Sequence, residues 1–387
     1  MATVFLNQIT SFICTINIII GFYSLILSDI RTKPSNIVFM SKRQSNIELL
    51  RIISIFLIMV VHATYLTFGT PTPQEIQVKP IGSFFFIGLE NISVICVDIF
   101  VLISGWFGIH PKVKSIGGLL FQCVYFGLIM AILFGLTGIQ PLGATTLAKC
   151  VVNYPHFVMC YIVMYLMTPV LNAFVERASR IQFRNMLIGF YVWAFLFGWF
   201  LHTDNGFAGG NSALSFIGLY LLARYIRIHC IFPSQLQKAR IWGIIWFATV
   251  LIVTTTVWAS SYFGFSLKVS NVLLNMTTSY LSPNVILAAV SLLLCFAHIQ
   301  LKSKAVNWIA ASAFASVLTH GYAMNDVYIP LIQDLYKVSP LVTFLCEAVG
   351  IMLAYLIVSV VLDKPRMYLW GKVYPHLDRW VVSRFRR

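Results

Sequence analysis

The sequence predicts an all-α, polytopic membrane protein with ten core transmembrane helices and, at the amino end, a segment long enough for an eleventh. Three observations predict it. Of the 387 residues, 59% are hydrophobic and only 10% charged, where soluble domains average about 25% charged. The mean hydropathy is +0.85, and the apolar residues gather into runs close to the roughly 20 residues that a helix needs to cross a bilayer. Between those runs Lys and Arg alternate in density, as they do between cytoplasmic and exterior loops.

In chain order, residues 4–27 form a first apolar run without the basic lead of a signal peptide. Residues 1–39 carry two readings: an additional span, or a segment upstream of a true start at Met40, where MSKRQSNIELLRI has the form of a basic cytoplasmic lead-in. A membrane domain over 40–363 follows, and then a basic tail over 364–387. The ten core spans fall at about 47–68, 84–108, 116–138, 156–173, 185–201, 211–230, 241–260, 282–300, 306–325 and 340–362, each near bilayer length.

With the segment before residue 52 inside, 23 of the 27 Lys and Arg residues lie on the inner side. The outer loops keep only Lys79, Lys149, Lys268 and Lys337. The net charge of +15 therefore reports orientation and contact with anionic lipid, and not a nucleic-acid partner. The loop at 261–281 is apolar-rich and suits the membrane interface. The tail interleaves Trp, Tyr and Arg, which fits an interfacial amphipathic helix or a plain positive-inside anchor. The eight cysteines are scattered, without a CxxC pair, so neither a metal site nor a disulfide framework is expected.

The first core span, SNIELLRIISIFLIMVVHA, carries Glu48, Arg51 and His62 into an apolar run. From Arg51 to His62 is three turns plus roughly 20°, with a rise of about 16 Å, so both side chains lie on one stripe. Glu48, three residues before Arg51, is in reach of an ion pair, and Ile52, Phe56 and Met59 flank the stripe. An ionisable residue inside a span costs on the order of 3 kcal/mol and faces a protein interior or cavity. The plainer readings are a snorkelling anchor for Arg51 and an interhelical hydrogen bond for His62.

Other polar residues lie in the spans. Glu90 and Asp98, about 80° off a common face, need not share a cavity, though either is able to meet Arg51 or His62. Ser104-Gly105 allows close approach of a helix or a ligand. His320 and Glu347 suit either a site or a structural contact. His110, His156, His202, His229 and His298 sit at span ends, where a structural role is the simpler one. There is no GxSxG elbow, Walker loop, HExxH helix or zinc-spaced His/Cys/Asp cluster. What remains is an intramembrane His backed by an Arg. Its natural chemistry is general-base activation of a hydroxyl, with the Arg holding phosphate or a developing oxyanion. No cysteine is visibly paired with a base.

These residues resemble a family, the integral-membrane acyltransferases (acyltransferase family three) that O-acetylate bacterial surface polysaccharides. Its hallmark is an Arg separated by ten residues from a His in the first core helix, the spacing of Arg51 and His62. FVLISGWF is similar to the family's Ser-Gly-aromatic motif, Tyr165, Pro169 and Asn172 to its fourth-span Tyr-x-x-x-Pro-x-x-Asn, FIGLYLLARYIR to its sixth span, and VLTH to its penultimate-helix His pattern. The likeness extends over about residues 44–363. Trp106 stands where the family usually has Phe or Tyr, and Thr319 replaces an Ile before His320. The Trp-Ser-Leu signature of one large branch is absent, as in the shorter polysaccharide-modifying branch.

The resemblance implies a multi-pass protein of the bacterial inner membrane, with the core amino end and the carboxyl end cytoplasmic. It implies acetyl-CoA as donor substrate, no permanently bound cofactor or metal, and a polysaccharide or lipid-linked glycan as acceptor. His62 and Arg51 are then the candidate catalytic residues, with Glu48, Asp98, Ser104, Lys112, Lys114, His320 and Glu347 as candidate substrate contacts. A glycan or lipid-intermediate transporter would line its path with the same buried charges, though no inverted repeat is detectable. A non-catalytic partner of a glycan synthase would tolerate substitution of the charged stripe.

Overall fold

Every regular element among the described residues is a helix, in line with the predicted class. The computed structural model describes residues 44–385 apart from 145, 148, 150–154, 202–205, 231 and 265–275. The expectations for residues 1–39, for His202 and for most of the 261–281 loop lie outside the described residues.

Helix α1 (Ser45–Ala63) is followed by a single turn at Tyr65–Phe68 and a short helix at Pro73–Val78. That short helix starts on a capping box, in which Thr72 and Glu75 each bond the other's backbone N–H. Helices α2 (Pro80–Ser93) and α3 (Cys96–Phe107) meet at Val94 and Ile95, which keep right-handed helical backbone. They act as one apolar rod of 28 residues. Then come α4 (Val113–Thr137), α5 (His156–Arg177) and α6 (Arg180–Trp193), with α6 widening into a π-helical stretch at Ala194–Phe200. The turn into α6 is set by Ser179 and Gln182, a second capping box.

The rest comprises α7 (Ala213–His229), α8 (Ala239–Tyr262), α9 (Pro283–Ala297), α10 (Lys304–Ala310), α11 (Phe314–Tyr322), α12 (Ile329–Val338) and α13 (Leu341–Phe385). The main core joins α1, α3, α5, α7 and α9, with Ile99, Val101, Leu102 and Ile103 of α3 buried at its centre. Gly105 makes that arrangement possible, because a Cβ there would stand 2.4 Å from the Tyr220 carbonyl oxygen on α7. Exposed apolar side chains run along α4 (Leu136), α8 (Phe247, Ile252) and α13 (Val342, Val361). Such surface suits lipid contact and is too extensive for water.

Eight helices are long and apolar enough to cross a membrane among the described residues, against the ten expected. The two segments that differ are informative. The span expected at 211–230 forms α7, 17 residues long because the Ser212 side chain caps it at Ser215 N; its length is about 26 Å. The span expected at 306–325 is broken. At Ala311 to Ala313 the backbone tightens into i→i+3 bonds, as in Ser312 N–H to Ile309 O and Ala313 N–H to Ala310 O. After α11 a wide turn at Met324–Tyr328 breaks it again.

The tail expected at 364–387 as a separate amphipathic helix continues α13 through Pro365. Its first turns dock on the bundle. Arg366 pairs with buried Asp363 at 2.9 Å, Gln122 of α4 donates to the same carboxylate, and the Trp370 ring stacks on Phe121.

Candidate active site

The site is built outward from α1. Glu48 and Arg51 pair at 2.9 Å, with the Glu48 side chain 4% exposed and that of Arg51 26% exposed. Burial of the carboxylate is tolerable because its cation sits on the next turn of the same helix. The guanidinium keeps enough exposure to meet another anion. Farther along, by about 16 Å of helical rise, His62 is half-buried. The stripe thus has a cationic end and an imidazole end, as the spacing predicts.

His320 of α11 reaches the far end of that stripe. Its Nε2 lies 2.8 Å from His62 Nδ1, and its Nδ1 lies 2.5 Å from the Ser316 carbonyl oxygen. These two contacts fix the proton positions. A carbonyl oxygen only accepts, so His320 Nδ1 carries its hydrogen and donates to Ser316. In the neutral ring Nε2 is then the acceptor, and His62 Nδ1–H donates to it. His62 is left with an unprotonated Nε2, the nitrogen that a general base needs. Of the two rings His320 is fully buried and His62 is not, so only His62 is open to a reactant.

The surroundings hold His320 still. Thr319 and Ser359 share a hydrogen bond between α11 and α13. Tyr328, whose ring centroid is 5.8 Å from that of His320, donates from its hydroxyl to the Met59 carbonyl of α1 at 2.9 Å. The tightened turn before α11 contributes as well, since Ser316 bonds its own hydroxyl to Ala313 O.

Around the Arg51 end, the Ser104 hydroxyl meets Tyr161 at 3.1 Å, and Arg51 is within electrostatic range of that phenol. Ser104 therefore contributes a polar contact while Gly105 provides the close packing. Below them the loop between α3 and α4 is clamped from α5. Pro169 lacks the N–H that would bond Tyr165 O, and the Thr168 hydroxyl takes that carbonyl instead at 2.6 Å. The Tyr165 hydroxyl bonds both the N–H and the carbonyl of Lys112, while Asn172 donates to Ile109 O and accepts from Tyr220. Gly108, at φ +74°, turns the chain into this loop and lies against the Arg224 guanidinium. Lys112 is thereby held through its backbone. Lys114 lies over the Tyr374 ring at 5.2 Å.

Other candidates sit elsewhere. Asp98 is fully buried, with no hydrogen-bond partner for either oxygen among the described residues, and it lies in electrostatic range of Cys96, Tyr191 and Tyr280. Glu90 is also buried and has no hydrogen-bond partner among the described residues. Glu347 accepts from Ser339 at 2.7 Å, a local brace across the turn from α12 to α13. His156 and His298 bond the backbone carbonyls of Asn211 and Leu294. His229 packs on Phe183 and Tyr225, and His110 is exposed. The expectation that no cysteine meets a base needs correcting, for Cys160 Sγ lies 3.4 Å from His156 Nε2. The same nitrogen donates to Asn211 O at 2.8 Å, which leaves it no lone pair for the thiol proton. Tyr161 and Tyr328 belong to the site and carry no sequence signal, because their partners Ser104 and Met59 lie far away in the chain; Ser316 serves His320 from one turn before it through its backbone carbonyl, which any residue carries.

Among the described residues no group of three His, Cys, Asp or Glu is placed to hold a metal ion. A bundle of apolar helices with an Arg-His stripe and a buried second His defines a membrane protein with acid-base capacity in its core. The family comparison gives that class a place: the profile of an acyltransferase domain, acyltransferase family 3, matches residues 44–364. The chain belongs to that family. No curated protein and no solved structure gives a match.

Proposed function

We propose that this chain is a membrane O-acyltransferase that moves an acetyl group from cytoplasmic acetyl-CoA to a hydroxyl of a cell-surface or lipid-linked polysaccharide. The observation that carries the reading is the oriented pair His62–His320, which leaves His62 Nε2 unprotonated on a helix whose other end presents Arg51. The acceptor hydroxyl gives its proton to His62 Nε2 as its oxygen attacks the thioester carbonyl. Positive charge on the ring is shared with His320 through Nδ1–H, and the proton then passes to the departing CoA sulfur. Acid and base work balance over one turnover.

Arg51 meets the donor, with Lys112 and Lys114 as auxiliary cations at the same end, and Ser104 with Tyr161 lines the approach. Glu48 holds Arg51 in place. His320 positions His62 and does not touch substrate. Asp98 and Glu347 are proposed here only as more distant contributors to substrate binding. The protein crosses a bacterial inner membrane ten times, the eight long helices being joined by α7 and by the broken α10–α11 segment. Its core amino end and its carboxyl end are cytoplasmic, which the Lys/Arg distribution favours. Lipids and the glycan are its partners, and nucleic acid is not.

The experiment is mass spectrometry of surface glycans from strains with and without the gene. Loss of acetyl groups from glycan that still reaches the surface supports the reading. Loss of the glycan itself, with acetylation of the remainder intact, favours a transporter.

A further inference from the structure

A second polar feature lies away from the histidine pair, where α3, α7 and α9 end together. There a cleft of about 320 Å³ is lined by Trp106, Arg227, Phe232, Gln237 and His298, among others. The sequence places this end on the basic, inner side, with Arg224, Arg227, Lys238 and Arg240 clustered in one loop region. Among the described residues no acidic residue is in the lining. Arg227 lies over the Trp106 ring at 4.6 Å, and Arg224, one turn back, is the charged group in its range. The Trp106 indole N–H is buried with no hydrogen-bond partner among the described residues.

Resting on the acetyl-CoA reading above, we infer that this cleft holds the 3′-phosphorylated adenine nucleotide of the donor, with Arg227 on phosphate and the base against Trp106 and Phe232. Guanidinium forks match phosphate oxygens, and flat aromatic faces take a base. Polar edges are present too. Gln237 spends its amide N–H on Phe232 O and keeps its oxygen, while His298 spends Nδ1 on Leu294 O and keeps Nε2. A cleft built for a cation would need carboxylates, and one built for acyl chains would not carry an arginine over a tryptophan.

Position agrees with this. Asn46, at the start of α1, donates to the Phe296 carbonyl at 2.8 Å, and the next two residues, Ala297 and His298, line the cleft. The cleft therefore opens at the foot of the Glu48–Arg51 stripe. From Asn46 to His62 the helix rises about 24 Å. The arm of CoA from ribose to sulfur is roughly sixteen bonds, the length of about five extended residues or ~18 Å. With the nucleotide in the cleft, the extended arm passes Arg51, about 8 Å along the helix from Asn46, and directs the thioester up the stripe toward His62.

The test uses full-length protein in nanodiscs of neutral lipid. Cys230 also lines the cleft and is partly exposed, so its maleimide labelling, quantified at that residue by mass spectrometry, reports occupancy directly. Adenosine 3′,5′-bisphosphate should slow labelling of Cys230 at least tenfold, and Arg227→Glu should remove the protection. In turnover, the wild type should prefer acetyl-CoA over acetyl-pantetheine in kcat/KM, and Arg227→Gln should shrink that preference about tenfold through KM. Labelling of Cys230 that is indifferent to the nucleotide overturns the assignment, as does an unchanged donor preference in Arg227→Glu. Shielding by anionic phospholipid and not by nucleotide would make the cleft a headgroup site instead. A protein that transfers no acetyl group yet protects Cys230 would overturn the transferase reading and leave the cleft assignment standing.

Discussion

Replacing His320 tests the orientation of His62 without touching the nitrogen that is to react. In His320→Leu the acceptor for His62 Nδ1–H, 2.8 Å away in the wild type, is gone. During turnover that hydrogen bond would be made by a ring carrying positive charge, and a bond to a charged group contributes about 1.5–3 kcal/mol. The barrier rises by about that much, so kcat should fall roughly 10- to 100-fold, with KM for acetyl-CoA little changed because Arg51 is intact. His320→Gln places an amide oxygen near the former Nε2 and should recover most of the loss. The assay is transfer of labelled acetyl groups by purified protein, with thermal unfolding in detergent to match folded fractions. Equal kcat for His320→Leu and wild type at equal folding would refute the reasoning. So would a Gln variant as slow as the Leu variant, since the position would then matter for packing and not for the proton.

Further outcomes follow from other contacts. Arg51→Ala leaves the buried Glu48 carboxylate without its cation at a cost of about 3 kcal/mol, so it should melt below the Glu48→Gln/Arg51→Ala double variant; the reverse order in a melting series would count against the pair. Gly105→Ala drives a Cβ to within 2.4 Å of the Tyr220 carbonyl oxygen and should lose folded yield by gel filtration, whereas Gly82→Ala, with nothing within 4 Å, should not. Asn172→Leu removes bonds to Ile109 O and Tyr220 and should lower stability by about 1–3 kcal/mol, read as an earlier melt. Reporter fusions after residues 113, 180, 235 and 303 should read cytoplasmic and those after 75, 145, 206, 270 and 335 exterior; one reproducible inversion means a misplaced crossing.

The sequence already held those features whose causes are local. Glu48 and Arg51 are three residues apart on a helix, so their pair follows from helical geometry, and the capping boxes at Thr72 and Ser179 follow from a four-residue pattern. The helical class follows from composition. The contact that gives His62 its tautomer joins residues 258 apart in sequence, and nothing near His62 announces it. Tyr165 is marked by the fourth-span pattern, but its target, a loop 53 residues earlier, is not. The break at Ala311 to Ala313 escaped because the run there is apolar and small, so hydropathy reads through it, whereas the i→i+3 bonds that bend it exist only in the fold. Residue spacing leaves Asp98 able to meet Arg51 or His62; it lies in range of Tyr191 and Tyr280 because of where α6 and the chain before α9 pack, which spacing does not encode.

The most direct test of the account is transfer of label from acetyl-CoA to a glycan acceptor by purified His62→Ala protein in nanodiscs, alongside wild type. Transfer should fall to background while protein level and acetyl-CoA affinity stay close to wild type, because the missing interaction belongs to the transition state. Transfer at the wild-type rate would contradict it and remove His62 from the chemistry.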